Sequence, residues 1–259
     1  PETHGSVEQL IDQMNLWNVD QATIIAAQIE HNPTNNVYVA AAVQKYMGRL
    51  HQFADVDSVW SATYHRPGAA KRMEAAVNQF NPKGFTHYIS AGDDGTWLNT
   101  QEGMDFFKVA AEAKLIASIA CYPHHQAAIR RIAEKFPAMP ILCHHMSGLK
   151  ADEQPPYDKL EQVLKSSEHP NIYLKLSGFA YVANEKDKAE YPYLNARWIY
   201  RRCYEKFGKR MVWGSDYPVA SLFMTYQQSL EAFRKHCDFV SPEDKPFILG
   251  GTLNALLNR

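Results

Sequence analysis

Short apolar runs alternate along the chain with longer amphipathic stretches. The apolar runs are continuous rather than strictly alternating, which is typical of parallel strands buried on both faces. They predict seven β-strands, at residues 22–28, 58–64, 85–90, 115–121, 140–145, 171–178 and 210–216. The amphipathic stretches predict helices at 35–50, 67–80, 100–114, 124–136, 155–166, 194–207, 222–236 and 243–257.

A further helix is predicted before the first strand, over residues 6–17, with Ser6 as its N-cap. Thr100 is the predicted N-cap of the helix at 100–114. Strands that alternate with helices indicate βαβ units and a parallel sheet. The even spacing favours an α/β fold of the (β/α)₈ TIM-barrel type, which needs eight strands. We therefore expect one domain over residues 1–259, with the first barrel strand upstream of the printed sequence; an open seven-stranded sheet is the alternative.

Composition and charge exclude several classes of function. The 259 residues are 46% hydrophobic and 21% charged, with a formal net charge of -1, so we expect neither nucleic-acid nor membrane binding. No apolar run approaches the 18 residues or so that a membrane span needs. The four cysteines lack the close spacing of a zinc motif. They indicate reduced thiols and a cytoplasmic protein.

Polar side chains gather where the predicted strands end. In TIM-barrel enzymes the chemistry lies at the carboxyl ends of the strands. A histidine and an aspartate at neighbouring strand ends can hold a divalent metal, or the aspartate can take a proton from water directly. The residues that meet this description are Cys121, Tyr122, His124, His125, His144, His145, Lys175, Ser177, Ser215, Asp216 and Tyr217.

Each of these side chains also has a structural alternative. His124 and His125 can simply begin the following helix, Asp216 can cap a loop, and Lys175 can be a buried ion-pair partner. Strand alternation predicts that His144 and His145 point to opposite faces, so that only one of them faces a site.

Four stretches taken together resemble one family. "FPAMPILCHHMSG", "NIYLKLSGFAYV", "RMVWGSDYP" and "ILGGTLNAL" resemble the amidohydrolase-related (amidohydrolase 2) group of TIM-barrel metal-dependent hydrolases. The likeness covers nearly all of the chain. It is closest to the lactonase-like branch, whose relatives include 2-pyrone-4,6-dicarboxylate lactonase and sugar-acid lactonases.

The resemblance implies a role for each matching residue. Asp216 is expected to be the general base. His145 is expected to face the site and to polarise the carbonyl directly or through a metal, while His144 faces away or supports it. The residues expected to bind substrate are Lys175, Ser177, Tyr122, His124 and Tyr217.

The chain departs from the family pattern in three places. The His-x-His motif that ends the first strand is absent, and Cys121 and Tyr122 stand where metal-dependent members carry a histidine. His87 and Tyr88 stand where relatives that act on dicarboxylate lactones have an arginine nearby, which argues against a doubly anionic substrate. A divalent zinc or manganese ion bound by His145 and Asp216 is therefore expected only with the full-length protein, and no tightly bound metal with the chain as printed.

The predicted function is hydrolysis of a lactone, ester or amide bond in a small-molecule substrate. One alternative is a metal-dependent decarboxylase of the same superfamily. The other is a degenerate, non-catalytic barrel that serves as a binding or scaffold subunit. The sequence leaves the oligomeric state open, with a homodimer as one option.

Overall fold

The computed structural model describes residues 5–183 and 190–259, which group into two compact units. Unit 1 contains residues 5–19, 143–168 and 173–259, apart from 184–189, and unit 2 contains residues 20–142 and 169–172. The prediction of a single domain is untested by this grouping and stays a prediction. The fold is α/β, as expected.

Seven strands form a sheet in the order in which they occur along the chain. Four of the neighbouring pairs have a parallel register that can be traced residue by residue, and all four follow the chain order. The strands are Ala22–Ile25 (β1), Leu50–Asp55 (β2), Gly84–Tyr88 (β3), Ile116–Ala120 (β4), Ile141–Cys143 (β5), Ile172–Leu176 (β6) and Met211–Trp213 (β7).

Helices separate the strands, as the βαβ pattern predicted; among the described residues, one more α-helix precedes the first strand and two follow the last. They are Val7–Leu16 (α1), Asn35–Lys45 (α2), Ala69–Phe80 (α3), Gln101–Glu112 (α4), Gln126–Lys135 (α5), Asp158–Lys165 (α6), Phe179–Val182 (α7), Arg197–Phe207 (α8), Tyr226–Arg234 (α9) and Thr252–Leu257 (α10). No helix among the described residues is long and apolar enough to cross a membrane. The upstream first strand of an eight-stranded barrel stays a prediction.

Both predicted N-caps are confirmed. The Ser6 hydroxyl accepts a hydrogen bond from the Gln9 backbone N–H, and the Gln9 side chain accepts one from the Ser6 N–H in return. This reciprocal pair is a capping box, which satisfies two backbone donors that the first turn of a helix leaves unpaired. The Thr100 hydroxyl accepts a hydrogen bond from the Gly103 N–H at 3.2 Å.

The strand predicted at residues 58–64 is wrong, because that segment consists of turns. The strand in this part of the chain is β2, whose first residue lies at the end of the predicted helix 35–50. The apolar pattern did not predict β2, because this strand carries polar residues whose hydrogen bonds are satisfied by tertiary contacts. The buried Gln52 donates from Nε2 to the Asn36 carbonyl at 2.8 Å.

Asp55, at the end of β2, holds the turn that replaces the predicted strand. Its carboxylate accepts hydrogen bonds from the Ser58 hydroxyl, from the Trp60 indole N–H at 2.7 Å and from the Gln28 backbone N–H at 2.7 Å. Trp60 and Ser58 are therefore drawn back towards a single buried carboxylate. The apolar run cannot extend into a strand while these bonds hold.

In unit 2, strands β1 to β4 pair in parallel register, with Asp55 beside Thr86 and Thr86 beside Ser118. Behind β3, Phe85 packs edge-on against Phe106 at a centroid distance of 5.5 Å. In unit 1, Leu176 of β6 lies beside Trp213 of β7. The carboxyl ends of these two parallel strands therefore lie side by side.

We predict that Asp55→Asn destabilises the protein by about 1–3 kcal/mol. The amide nitrogen of the asparagine would face one of the groups that now donate a hydrogen bond to the carboxylate. That donor would then stay buried and unpaired. Chemical denaturation followed by circular dichroism measures the change. Asp94→Asn is the matched control, because Asp94 is exposed and accepts a hydrogen bond from the Thr96 N–H, which an amide oxygen also accepts. Equal stability of both variants with wild type would contradict the anchoring role of Asp55.

Candidate active site

The segment after β5 has an unusual backbone conformation. β5 ends at Cys143, and the three residues from His145 to Ser147 have φ angles of 42°, 54° and 56°. Non-glycine residues rarely adopt this left-handed region, which costs roughly 1–2 kcal/mol per residue. Because the strand has already ended, strand alternation does not set the directions of the two imidazoles.

Both imidazoles contact residues on one face of the chain at the carboxyl end of β6. Lys175 and Ser177 are two residues apart, so they share a face. Lys175 Nζ lies 2.9 Å from His144 Nε2, and Ser177 Oγ lies 3.0 Å from His145 Nδ1. His144 therefore points towards Lys175, on the side of the strand that also carries Ser177. The expectation that it supports the site stays a prediction.

Asp216 lies beside His145 in unit 1. Its Oδ1 is 3.7 Å from His145 Nε2, and its Oδ2 accepts a hydrogen bond of 2.6 Å from the Tyr181 hydroxyl. The backbone of Asp216 is also in the left-handed region, with a φ of 53°. The side chains of His145 and Asp216 are 23% and 22% exposed, so a small molecule can reach them.

Tyr181 is the site residue that the sequence analysis missed. Its ring stands edge-on to the His145 ring at a centroid distance of 5.1 Å, in addition to its hydrogen bond with Asp216. The available signal was a polar aromatic residue four positions after Ser177, in the loop that follows a predicted strand end.

Gly178 makes this arrangement sterically feasible. It has a φ of 61°, and a Cβ atom there would lie 2.2 Å from the Tyr181 ring and 2.9 Å from His145 Nδ1. Both distances are shorter than a carbon contact allows. The glycine therefore lets Tyr181 and His145 approach each other above the end of β6.

Burial dominates the electrostatics of the basic groups. It lowers the pKa of Lys175 to about 7, against the opposing effects of the Asp216 carboxylate and Cys143. Burial, with Lys175 and His145 nearby, holds the pKa of His144 well below its ordinary value. Burial also lowers the pKa of His145, although the Asp216 charge acts in the opposite direction. The two imidazoles are therefore neutral near pH 7, and the Lys175 amine is divided between its charged and neutral forms.

Tyr217 follows Asp216 directly in the chain. Its backbone N–H donates to the Ser215 hydroxyl at 3.3 Å, and its own hydroxyl lies 3.5 Å from Gln9 Oε1. The structure thus places Tyr217 on the same loop as Asp216. Its role in substrate binding stays a prediction.

Tyr122 and His124 belong to unit 2. His124 is exposed, and its Nε2 lies 3.0 Å from the Asp93 carbonyl oxygen, which His125 Nε2 also approaches, at 2.7 Å. The Tyr122 and His124 rings are nearly parallel, with centroids 5.9 Å apart. Their roles in substrate binding stay predictions.

Unit 2 contains a second group of imidazoles. His65 Nδ1 lies 3.0 Å from Asp93 Oδ2, and His65 Nε2 lies 3.3 Å from Nε2 of the buried His87. The His65 ring is stacked between Tyr64 and Trp97, at centroid distances of 3.7 and 4.1 Å. These contacts fit a packed polar core.

The residues of unit 1 do not make a complete metal site. A catalytic zinc is usually held by three protein ligands, and His145 and Asp216 provide two. Within residues 5–183 and 190–259 no three histidine, cysteine, aspartate or glutamate side chains meet as a ligand set. His145 and Asp216 would therefore need further donors to bind such an ion.

The chain matches the Amidohydro_2 (amidohydrolase) family model over residues 13–258. A protein of Sinorhizobium fredii, y4mH, is 24% identical over 185 residues. That alignment covers 67% of this chain and 60% of the relative, so it spans less than two thirds of the relative's length.

Solved structures share the fold over almost the whole chain. A probable 2-pyrone-4,6-dicarboxylic acid hydrolase from Acinetobacter baumannii, with citric acid bound, has a TM-score of 0.76 at 18% identity, with 98% of this chain and 89% of that chain covered. A Burkholderia multivorans amidohydrolase with bound zinc has a TM-score of 0.78 at 15% identity, with coverages of 97% and 87%.

A third structure, the 5-carboxyvanillate decarboxylase of Sphingomonas paucimobilis, has a TM-score of 0.64 at 12% identity, with coverages of 96% and 82%. Likeness at such identities shows a common fold and leaves the reaction open. The family model covers far more than half of the chain, and the chain therefore belongs to the amidohydrolase family.

Proposed function

We propose that this protein hydrolyses a small lactone or ester, with Asp216 as the general base. The observation that carries the proposal is the pairing of Asp216 Oδ1 with His145 Nε2 at 3.7 Å, both partly exposed. At this separation the carboxylate can take a proton from the attacking water while the imidazole donates a hydrogen bond to the carbonyl oxygen of the same substrate.

The reaction proceeds in two steps. In the first, Asp216 accepts a proton from water while the water oxygen bonds to the carbonyl carbon, and the carbonyl oxygen becomes an oxyanion. In the second, the oxyanion re-forms the carbonyl, the ring C–O bond breaks, and the leaving alkoxide takes the proton back from Asp216. The product is a hydroxy acid, and the base is regenerated.

His145 polarises the carbonyl oxygen in this scheme. Its Nε2 can donate a hydrogen bond when its Nδ1 accepts one from the Ser177 hydroxyl, 3.0 Å away. A neutral imidazole is sufficient for this purpose, because a lactone or ester carbonyl is more reactive than an amide. Lys175 supports the same region of the site and offers a positive charge to a substrate carboxylate.

The zinc bound by the Burkholderia relative supports a second route to the same chemistry. A divalent ion held by His145, Asp216 and further donors would polarise the carbonyl in place of the imidazole. We expect hydrolysis by the chain as printed to survive treatment with EDTA. Loss of activity with EDTA that added zinc or manganese restores would assign the carbonyl to a metal instead.

We predict that Asp216→Asn lowers kcat/KM for the best substrate in a panel of lactones and esters by about 10²–10⁴-fold. The amide preserves the shape of the carboxylate but cannot accept the proton. The rate of hydrolysis is measured from the acid that the reaction releases, and carbon dioxide is measured in parallel. Asp12→Asn, on the exposed face of α1, is the control and should match wild type. Turnover by Asp216→Asn within a few-fold of wild type would exclude the base, and release of carbon dioxide would indicate a decarboxylase.

We also predict a pH dependence that distinguishes substrates by charge. The pKa of Lys175 is lowered to about 7 by burial, so its positive charge is present below that pH and disappears as the pH rises through it. The kcat/KM for a lactone with one carboxylate should therefore fall above pH 7 more steeply than that for a neutral lactone.

The Lys175→Met variant should lose this difference between the two substrates, whereas Lys165→Met, on the exposed face of α6, should retain it. If kcat/KM of the wild-type protein changed with pH in the same way for charged and neutral lactones, Lys175 would not bind the substrate carboxylate.

A further inference from the structure

We infer that Tyr181 is a positioning residue for Asp216. Its hydroxyl holds Oδ2 and so fixes Oδ1 on the side of His145. The inference rests on the proposed function, because it concerns the same carboxylate. Tyr181 lies within the stretch "NIYLKLSGFAYV", but the resemblance assigned it no role.

The hydrogen bond from Tyr181 to Asp216 is short and directional. A phenol hydroxyl can only donate to an ionised carboxylate, and the O–O distance of 2.6 Å is that of a charge-assisted bond. Without this bond, rotation of the carboxylate would exchange its two oxygens. With it, one oxygen is occupied and the other lies 3.7 Å from His145 Nε2.

The backbone and ring of Tyr181 are themselves held in place. Its N–H donates to the Gly178 carbonyl at 2.8 Å, and its carbonyl accepts from Lys150 Nζ at 2.5 Å. Its ring meets His145 edge-on at 5.1 Å and Phe223 edge-on at 6.0 Å. A side chain fixed at this many points can impose a position on its partner rather than follow it.

Tyr181 also links the two residues that the reaction uses. Its hydroxyl contacts Asp216 while its ring contacts His145, and both contacts depend on Gly178, where a Cβ would lie 2.2 Å from the Tyr181 ring. The relative placement of base and imidazole is therefore set in part by one tyrosine. A purely structural tyrosine would stabilise the loop without affecting how Asp216 acts.

Kinetics of Tyr181→Phe separate these two roles. Loss of a hydrogen bond to a charged group should lower kcat by about 10–100-fold, with KM changed by less than about threefold. Tyr204→Phe is the matched control, because Tyr204 donates to Asp244 Oδ2 at 2.8 Å, the same type of bond in the same unit. The control should retain kcat within about twofold.

The double variant Tyr181→Phe/Asp216→Asn tests whether Tyr181 acts through Asp216. If it does, the second substitution lowers kcat no further than Asp216→Asn alone, because groups that act as a unit are non-additive. Multiplicative losses, or a Tyr181→Phe variant with the kcat of wild type, would overturn the inference.

A thermal-denaturation cycle tests the contact without any substrate. The changes in Tm caused by Tyr181→Phe and Asp216→Asn should be non-additive, while those of Tyr204→Phe and Asp216→Asn should add. Additive changes for the first pair would show that the bond is not formed, which overturns the inference. A non-additive first pair in a protein that hydrolyses no lactone or ester would instead leave the contact established and refute the proposed function.

Discussion

The candidate site depends on the chain leaving the strand conformation immediately after Cys143. Had β5 continued through residue 145, alternation would have put the two imidazoles on opposite faces of the sheet. The left-handed backbone from His145 to Ser147 instead lets both rings reach Lys175 and Ser177. Three such residues in succession cost several kcal/mol, and strain of this kind is typical of functional sites, where surrounding contacts hold it in place.

The same device recurs at the ends of β6 and β7. Gly178 has a φ of 61° and Asp216 a φ of 53°, and each turns the chain sharply where the strand stops. The strands bring the segments that follow β5, β6 and β7 alongside one another. The left-handed residues in these segments then set the directions of the side chains. A parallel sheet thereby provides a rigid base, while the chemistry depends on a few residues beyond it.

The comparisons place a limit on what the fold alone conveys. Structures that share it at 12–18% identity include a probable 2-pyrone-4,6-dicarboxylic acid hydrolase and a 5-carboxyvanillate decarboxylase. Hydrolysis is proposed on the basis of the site itself, where a carboxylate lies beside one imidazole and an amine is paired with a second imidazole. Under the proposed function, Lys175 would add selectivity for a charged substrate, since burial lowers its pKa to about 7.

The sequence by itself determined most of the α/β pattern, the capping of α1 and α4, and the choice of His145, Ser177 and Asp216 as neighbours. Apolar periodicity and capping are local properties, and the family motifs carry the spacing of the strand ends. The sequence did not predict β2, because this strand carries buried polar residues. Their hydrogen bonds are satisfied by tertiary partners such as the Asn36 carbonyl.

Only the tertiary structure decided that Ser58 and Trp60 fold back onto Asp55, that His144 pairs with Lys175, and that Tyr181 holds Asp216. Each of the last two contacts joins residues more than 30 positions apart. The Asp55 turn is local in sequence, but its carboxylate is also fixed by the Gln28 backbone across the sheet. Hydrogen bonds of this kind leave no periodic signal in the chain, because they depend on where a strand ends and which way the next residue turns.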